Sequence, residues 1–206
     1  MQPMRLRHLI QAAMLAALTA VGALVTVPLG PVPFTLQSLV VPLSGALLGP
    51  AGGFLSQVVY LLLGFAGLPV FAGFASGVGV LARPTGGFLL AFPLAAATAG
   101  WLTARPERRV RPGRQARPGF WGVFGAMLAA DAVIFAVGLP WLAYFLGPAA
   151  GKAFNLVHAA ELGLLPFLLT DLLKLTAAAG LAVRLRPILS MGSNGGPGAG
   201  GLGDVN

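Results

Sequence analysis

Six apolar runs, joined by Gly- and Pro-rich breaks, take up most of this chain. They cover about His8–Val27, Thr35–Leu48, Gly53–Leu68, Thr85–Ala104, Phe120–Phe145 and Ala159–Leu185. A helix that crosses a bilayer needs about 20 apolar residues. Four of the runs meet that length, and the second and third fall short. Both short runs adjoin Gly/Pro-rich segments, so irregular backbone buried in protein is expected to complete part of their depth. The expected fold class is therefore an all-α membrane protein with six transmembrane helices.

Composition agrees. Of 206 residues, 57% are hydrophobic and 9% charged, with a mean hydropathy of +0.87. A soluble domain carries about 25% charged residues. There is no cysteine and there are only two histidines, which excludes disulfides, thiolate chemistry and a histidine metal cluster. Residues 1–190 read as one six-helix domain, and 191–206 as a Gly-rich coil. The N-terminal run follows Arg5 and Arg7 but lacks a small-residue cleavage site, and reads as the first membrane helix.

The net charge of +8 does not point to nucleic acid, because the arginines flank apolar runs instead of forming a patch with aromatics. Arg105, Arg108, Arg109, Arg111, Arg114 and Arg117 crowd one connection. With both termini inside, these six join Arg5, Arg7, Arg184 and Arg186 on the cytoplasmic side, leaving Arg83 and Lys152 outside. That asymmetry predicts an N-in, C-in topology in a cytoplasmic membrane. The connections 28–34, 67–79 and 147–155 then meet at the outer face. Phe71, Phe74, Trp141 and Tyr144 lie in or near them, either as an interfacial belt or as the mouth of an apolar pocket.

Asp171 and Lys174 interrupt the last run. A charge at the centre of a bilayer costs about 2.5–3.5 kcal/mol on insertion scales. Three residues apart, the two share a helical face and can pair. They mark either a functional site or an ion pair that pins helices together. Gln57 and Tyr60, at i, i+3 spacing, share one face of the third run, with Ser56 beside them; Gln37 and Ser38 open the second and Asn155 precedes the sixth. Cross-bonding of helices and the lining of a polar cavity remain equally open for these. Asp131 sits mid-span in the fifth run without an assigned role, while His158 and Glu161 fall near the outer end of the sixth. Ala12, Ala13, Ala16 and Ala17 form two overlapping Ala-xxx-Ala spacings, which permit close approach of another helix.

An ordered series of fragments carries a resemblance. Pro31-Val-Pro-Phe-Thr-Leu-Gln37 is followed by Gly45-Ala-Leu-Leu-Gly-Pro50, Tyr60-Leu-Leu-Leu-Gly64 and Gly67-Leu-Pro-Val-Phe-Ala-Gly73. Pro84-Thr-Gly-Gly-Phe88, Pro166-Phe and Asp171-Leu-Leu-Lys174 complete it. From about Arg5 to Arg186 the chain resembles the BioY family, the biotin-binding substrate components (S components) of energy-coupling factor (ECF) transporters. Two departures stand out: fewer glycines in 74–79, and Arg83 directly before Pro84.

The resemblance implies an S-component fold with an outward-facing biotin pocket. It also implies assembly with a membrane coupling subunit and two ATPase subunits, in a prokaryotic cell membrane. The Ala-xxx-Ala surface would contact the coupling subunit through Ala12, Ala13, Ala16 and Ala17. Asp171 and Lys174 would be ligand contacts, with Tyr60, Gln57 and Asn155 completing the polar set. Phe71 and other apolar side chains would cover the ring system, and the 67–79 loop would serve as a lid. Biotin has a ureido group with two N–H donors and one carbonyl, and a carboxylate at the far end. Asp171 can accept from an N–H and Lys174 can donate to a carbonyl or attract an anion. In an alternative arrangement Lys174 only neutralises Asp171, and Arg83 takes the carboxylate. No cofactor is expected, biotin being the substrate.

A stand-alone secondary transporter, coupled to protons through Asp131, Glu161 or Asp171, is the competing reading. The chain has no GxxxxGK[ST] motif, so ATP would have to be used by partners. It also lacks a nucleophile–base constellation, which argues against an enzyme.

Overall fold

The computed structural model describes residues 6–108 and 118–191, with side chains over 6–104 and 118–186. Four members of the six-arginine connection (Arg109, Arg111, Arg114 and Arg117) and the glycine tail lie outside the described residues, as do the side chains of Arg105 and Arg108. Six helices are present among the described residues: α1 (Leu6–Leu24), α2 (Gln37–Phe65), α3 (Gly86–Arg108), α4 (Phe120–Leu146), α5 (Leu156–Gly163) and α6 (Leu168–Met191).

The chain is mostly helical, as the sequence reading expects, but four or five span candidates among the described residues stand in place of six, and the division of the chain differs in two places. The expected second and third helices are the two arms of α2. Gly49 interrupts it with φ 75° and ψ −179°, a conformation open to glycine and closed to residues with a Cβ. Pro50 follows and cannot extend the first arm. The chain turns back on itself there. Gln37 meets Tyr60 and Ser44 meets Gln57, pairs that a straight helix would hold far apart. The arms, 37–48 and 50–65, are about 18 and 24 Å long at 1.5 Å per residue. Neither matches the roughly 30 Å of a hydrocarbon core.

The expected sixth helix is also two pieces. α5 and α6 are bent by 57° across the turn at 164–167. Pro166 lies in that turn, where its missing N–H and its ring prevent a continuous helix. The break places Asp171 in the first turn of α6, where exposed backbone N–H groups favour a carboxylate.

Residues 26–35 form a small antiparallel hairpin instead of a loop. β1 (Thr26–Pro28) pairs with β2 (Pro33–Thr35), Val27 standing opposite Phe34. Between lipid-facing helices the hydrophobic effect gives little drive, so packing rests on close approach of small residues. Gly45 shows this: a Cβ there would strike the Ala96 carbonyl of α3. Leu6, Ile10, Met14 and Val21 of α1 and Leu169 and Leu173 of α6 point outward, as lipid contact requires. Leu6–Leu24, Gly86–Ala104 and Phe120–Ala150 are each long and apolar enough to cross a membrane, and the bent α5–α6 pair qualifies as another; α2 reaches that length only as the sum of two arms that fold back on each other at Gly49.

Candidate substrate-binding site

A cavity of about 280 Å³ opens among β2, the first turn of α2, the 71–85 segment, α3, α4 and the α5–α6 break. Its middle is apolar, formed by Val32, Phe71, Val80, Phe88, Phe92 and Phe135 among others. Polar groups gather at its two ends.

At the inner end, Lys174 Nζ lies 2.5 Å from Asp171 Oδ1. It donates to Ser38 Oγ at 2.5 Å and to the Thr35 carbonyl at 3.1 Å. An ammonium has three N–H donors, so all three are taken. The Phe34 ring, 4.4 Å from the ammonium, adds a cation–π contact. Ser38 in turn donates to Asp171 Oδ1 at 3.1 Å. Asp171 and Lys174 are only 5% and 7% exposed. Two charges so far from water persist because each is paired and hydrogen-bonded. The pair therefore does pin α6 to the start of α2, and it does so while lining a cavity.

Asp131 of α4 lines the same cavity, 6% exposed, with no hydrogen-bond partner for Oδ1. At the mouth stands Arg83, exposed and on the lining. The Trp141 indole donates to its carbonyl at 3.1 Å. Asp131 and Trp141 are ten residues apart on α4. Ten residues of α-helix rise about 15 Å along α4, which separates Trp141 from Asp131.

Of the residues expected to bind ligand, Asp171, Lys174, Arg83 and Phe71 meet here. Three do not line the cavity. Tyr60 lies one layer behind, where its hydroxyl accepts from Gln37 Nε2 at 2.5 Å and donates to the Val70 carbonyl at 3.1 Å. It holds Gln37, which does line the cavity, and its ring meets Phe71 edge-on at 5.5 Å. Gln57 faces α1 and the other arm of α2, bonding Thr19 and Ser44 at 3.2 Å. Asn155 caps α5, accepting from the His158 N–H at 3.0 Å, and is exposed. His158 and Glu161, 3.5 Å apart, form a solvated pair on α5.

Sequence reasoning left Thr35, Gln37 and Ser38 out of the ligand set, although Gln37-Ser38 had stood out at the head of an apolar run. The 67–79 segment does not hang loose over the mouth. Phe71 is buried and bridged to Ala75, and the Gly77 N–H bonds the Gly64 carbonyl at 2.8 Å. Phe74 and Tyr144 point outward.

The alanine pattern on α1 splits. Ala12 and Ala16 are 1% exposed and packed inside the chain, while Ala13 and Ala17 are exposed. Adjacent residues sit about 100° apart around a helix, so two Ala-xxx-Ala rows face two directions. Ala12 and Ala16 cannot form part of an external contact surface.

The family model for the BioY family matches residues 1–191. The chain belongs to the BioY family. It is 39% identical over 183 residues to the probable biotin transporter BioY of Pyrococcus horikoshii, an alignment spanning 89% of this chain and 98% of that one. Identity is 38% to the biotin transporter BioY of Thermotoga maritima, with the same coverage. The fold matches the crystal structure of the S component for biotin from an ECF-type ABC transporter, with a TM-score of 0.75 and 24% identity. That match covers 91% of this chain and 94% of the other.

Proposed function

We propose that this chain captures biotin from the outer face of a prokaryotic cell membrane, as the substrate-binding component of an ECF-type transporter. The observation that carries the reading is a largely apolar cavity lined both by a buried acid–base cluster, Asp171 and Lys174, and by an exposed arginine, Arg83. This bipolar pattern fits biotin, which has a ureido ring at one end and a carboxylate at the other. Family membership and the relatives' names support the same ligand.

In this reading the ureido ring enters first. Asp171 accepts from an N–H, and the Lys174 ammonium faces the ureido carbonyl. Because its three donors are already engaged, Lys174 acts chiefly by fixing the Asp171 carboxylate in place. The apolar middle takes the thioether ring and the aliphatic chain, and Arg83 takes the carboxylate at the rim. Exclusion of water from the inner end strengthens each polar contact. The chain carries no chemistry of its own and is not an enzyme. Transport energy comes from a membrane coupling subunit and two ATPase subunits.

The N-in, C-in orientation follows from the arginine distribution and puts the cavity mouth outside. Docking of the coupling subunit falls to the exposed row of α1, Ala13 and Ala17. Ala17→Trp should leave biotin binding intact and reduce recovery of the coupling subunit in a pull-down. Normal recovery would remove that row from the interface.

Direct titration of the detergent-solubilised chain tests the central claim. Saturable one-to-one biotin binding is expected, weaker binding of desthiobiotin, and none of riboflavin. A folded chain that ignores biotin would end this reading.

A further inference from the structure

The first acid at the inner end, Asp171, has one oxygen engaged by Lys174 and Ser38. Asp131 approaches the same end from a different helix. Its Oδ1 is buried without a hydrogen-bond partner, and Asp131 lies within electrostatic reach of both Asp171 and Lys174. Gln57 Oε1 is likewise a buried acceptor without a partner, but Gln57 still bonds neighbouring helices through Nε2, whereas the Asp131 side chain makes no hydrogen bond to any neighbouring helix among the described residues. Leaving a buried acceptor unpaired is costly, and the lining residues one turn along α4 from Asp131, Ile134 and Phe135, are apolar. Asp131, Phe135 and Asp171 also border a second, apolar cavity of about 310 Å³ between α4 and α5–α6, whose other lining residues are Leu128, Ala132, Leu164, Leu168, Leu172 and Leu175. None of these side chains can donate a hydrogen bond.

We propose that Asp131 is a second carboxylate contact for the ligand, reading a ring that presents two N–H donors. The inference rests on the biotin reading and deepens it. The two ureido N–H groups flank the carbonyl and point apart. One carboxylate with an engaged oxygen cannot serve both. Two carboxylates on separate helices, α4 and α6, can. The ammonium of Lys174, its donors engaged, fixes the Asp171 carboxylate beside the ring. Selectivity for a ureido ring then comes from a pair of acids, because a ring lacking either N–H leaves a buried acceptor unpaired.

Binding should be measured for biotin and for two analogues, each carrying a methyl group on one of the ureido nitrogens. The wild type, Asp131→Ala and Asp131→Asn are compared in detergent. If Asp131 accepts an N–H, its removal weakens biotin by about tenfold or more. It also shrinks the preference for biotin over one of the two analogues by a similar factor, leaving the preference over the other in place. An unchanged preference against both analogues, in either folded variant, would overturn the proposal. A wild type that does not bind biotin would instead overturn the underlying reading, so the two failures are distinct.

Discussion

Two buried polar clusters in this molecule look alike in sequence and differ in kind. One joins Thr19, Ser44, Ser56 and Gln57 at the contact between α1 and the two arms of α2. The other joins Thr35, Ser38, Asp171 and Lys174 where α2 meets α6. Each cross-links helices in a setting that offers little water. The first is enclosed in packed helices, and none of its members lines the substrate cavity. The second has the cavity on one side, with Asp131 across from it. Helix pinning and ligand contact are therefore compatible roles, and what separates the clusters is the empty space beside one of them.

The largest expected effect is at the open cluster. Lys174→Ala leaves Asp171 buried without its counter-ion, which should cost about 3–5 kcal/mol of stability. Biotin affinity should fall by about tenfold or more. The double variant Asp171→Asn, Lys174→Met removes both charges and should recover most of the stability without recovering binding. Thermal unfolding in detergent and ligand titration separate the two quantities. Recovery of binding by the double variant would mean that the charges only staple helices, and the contrast between the clusters would collapse.

This distinction was only partly legible in the sequence. Asp171 and Lys174 were visible because charges in an apolar run have few explanations. Gln57 and Gln37 were not separable, since both are amides on apolar segments. The reversal at Gly49 turns one toward α1 and sets the other beside the cavity, and no local spacing encodes that outcome. Asp131 was conspicuous but mute, because its meaning depends on a cavity that α4 shares with β2, α2, the 71–85 segment, α3 and the α5–α6 break. The total of six helices recurs only because one merger, at Gly49, is offset by one split, at Pro166. The break before Asp171 was signalled by Pro166, but a proline in an apolar run is compatible with a kink as well as with a full break. The α1 alanines were read as one surface because spacing alone does not say which of two adjacent rows the fold covers.

A middle-sized effect belongs to the rim. Arg83→Gln keeps length and hydrogen-bonding capacity but removes the charge. Biotin affinity should drop by about tenfold, near 1.4 kcal/mol, while stability stays the same. An analogue whose carboxylate is an uncharged amide should bind wild type and variant alike. Equal losses for acid and amide would take the carboxylate away from Arg83 and return it to the inner end.

The smallest effect should come from the closed cluster, and it is the more exacting test of the comparison. Gln57→Leu deletes three contacts made by Nε2, at 3.2, 3.2 and 3.4 Å. It also deletes Oε1, a buried acceptor with no partner. The hydroxyls left behind keep their own bonds: Thr19 donates to the Leu15 carbonyl at 2.9 Å and Ser44 to the Val41 carbonyl at 2.7 Å. Side-chain hydrogen bonds between membrane helices average about 0.6 kcal/mol, so the net change in stability should stay within about 1 kcal/mol. Biotin affinity should hold within about twofold, since Gln57 does not border the cavity. If affinity falls by tenfold in a variant of normal stability, the arms of α2 transmit changes from the closed cluster to Ser38, and the two clusters are parts of one device.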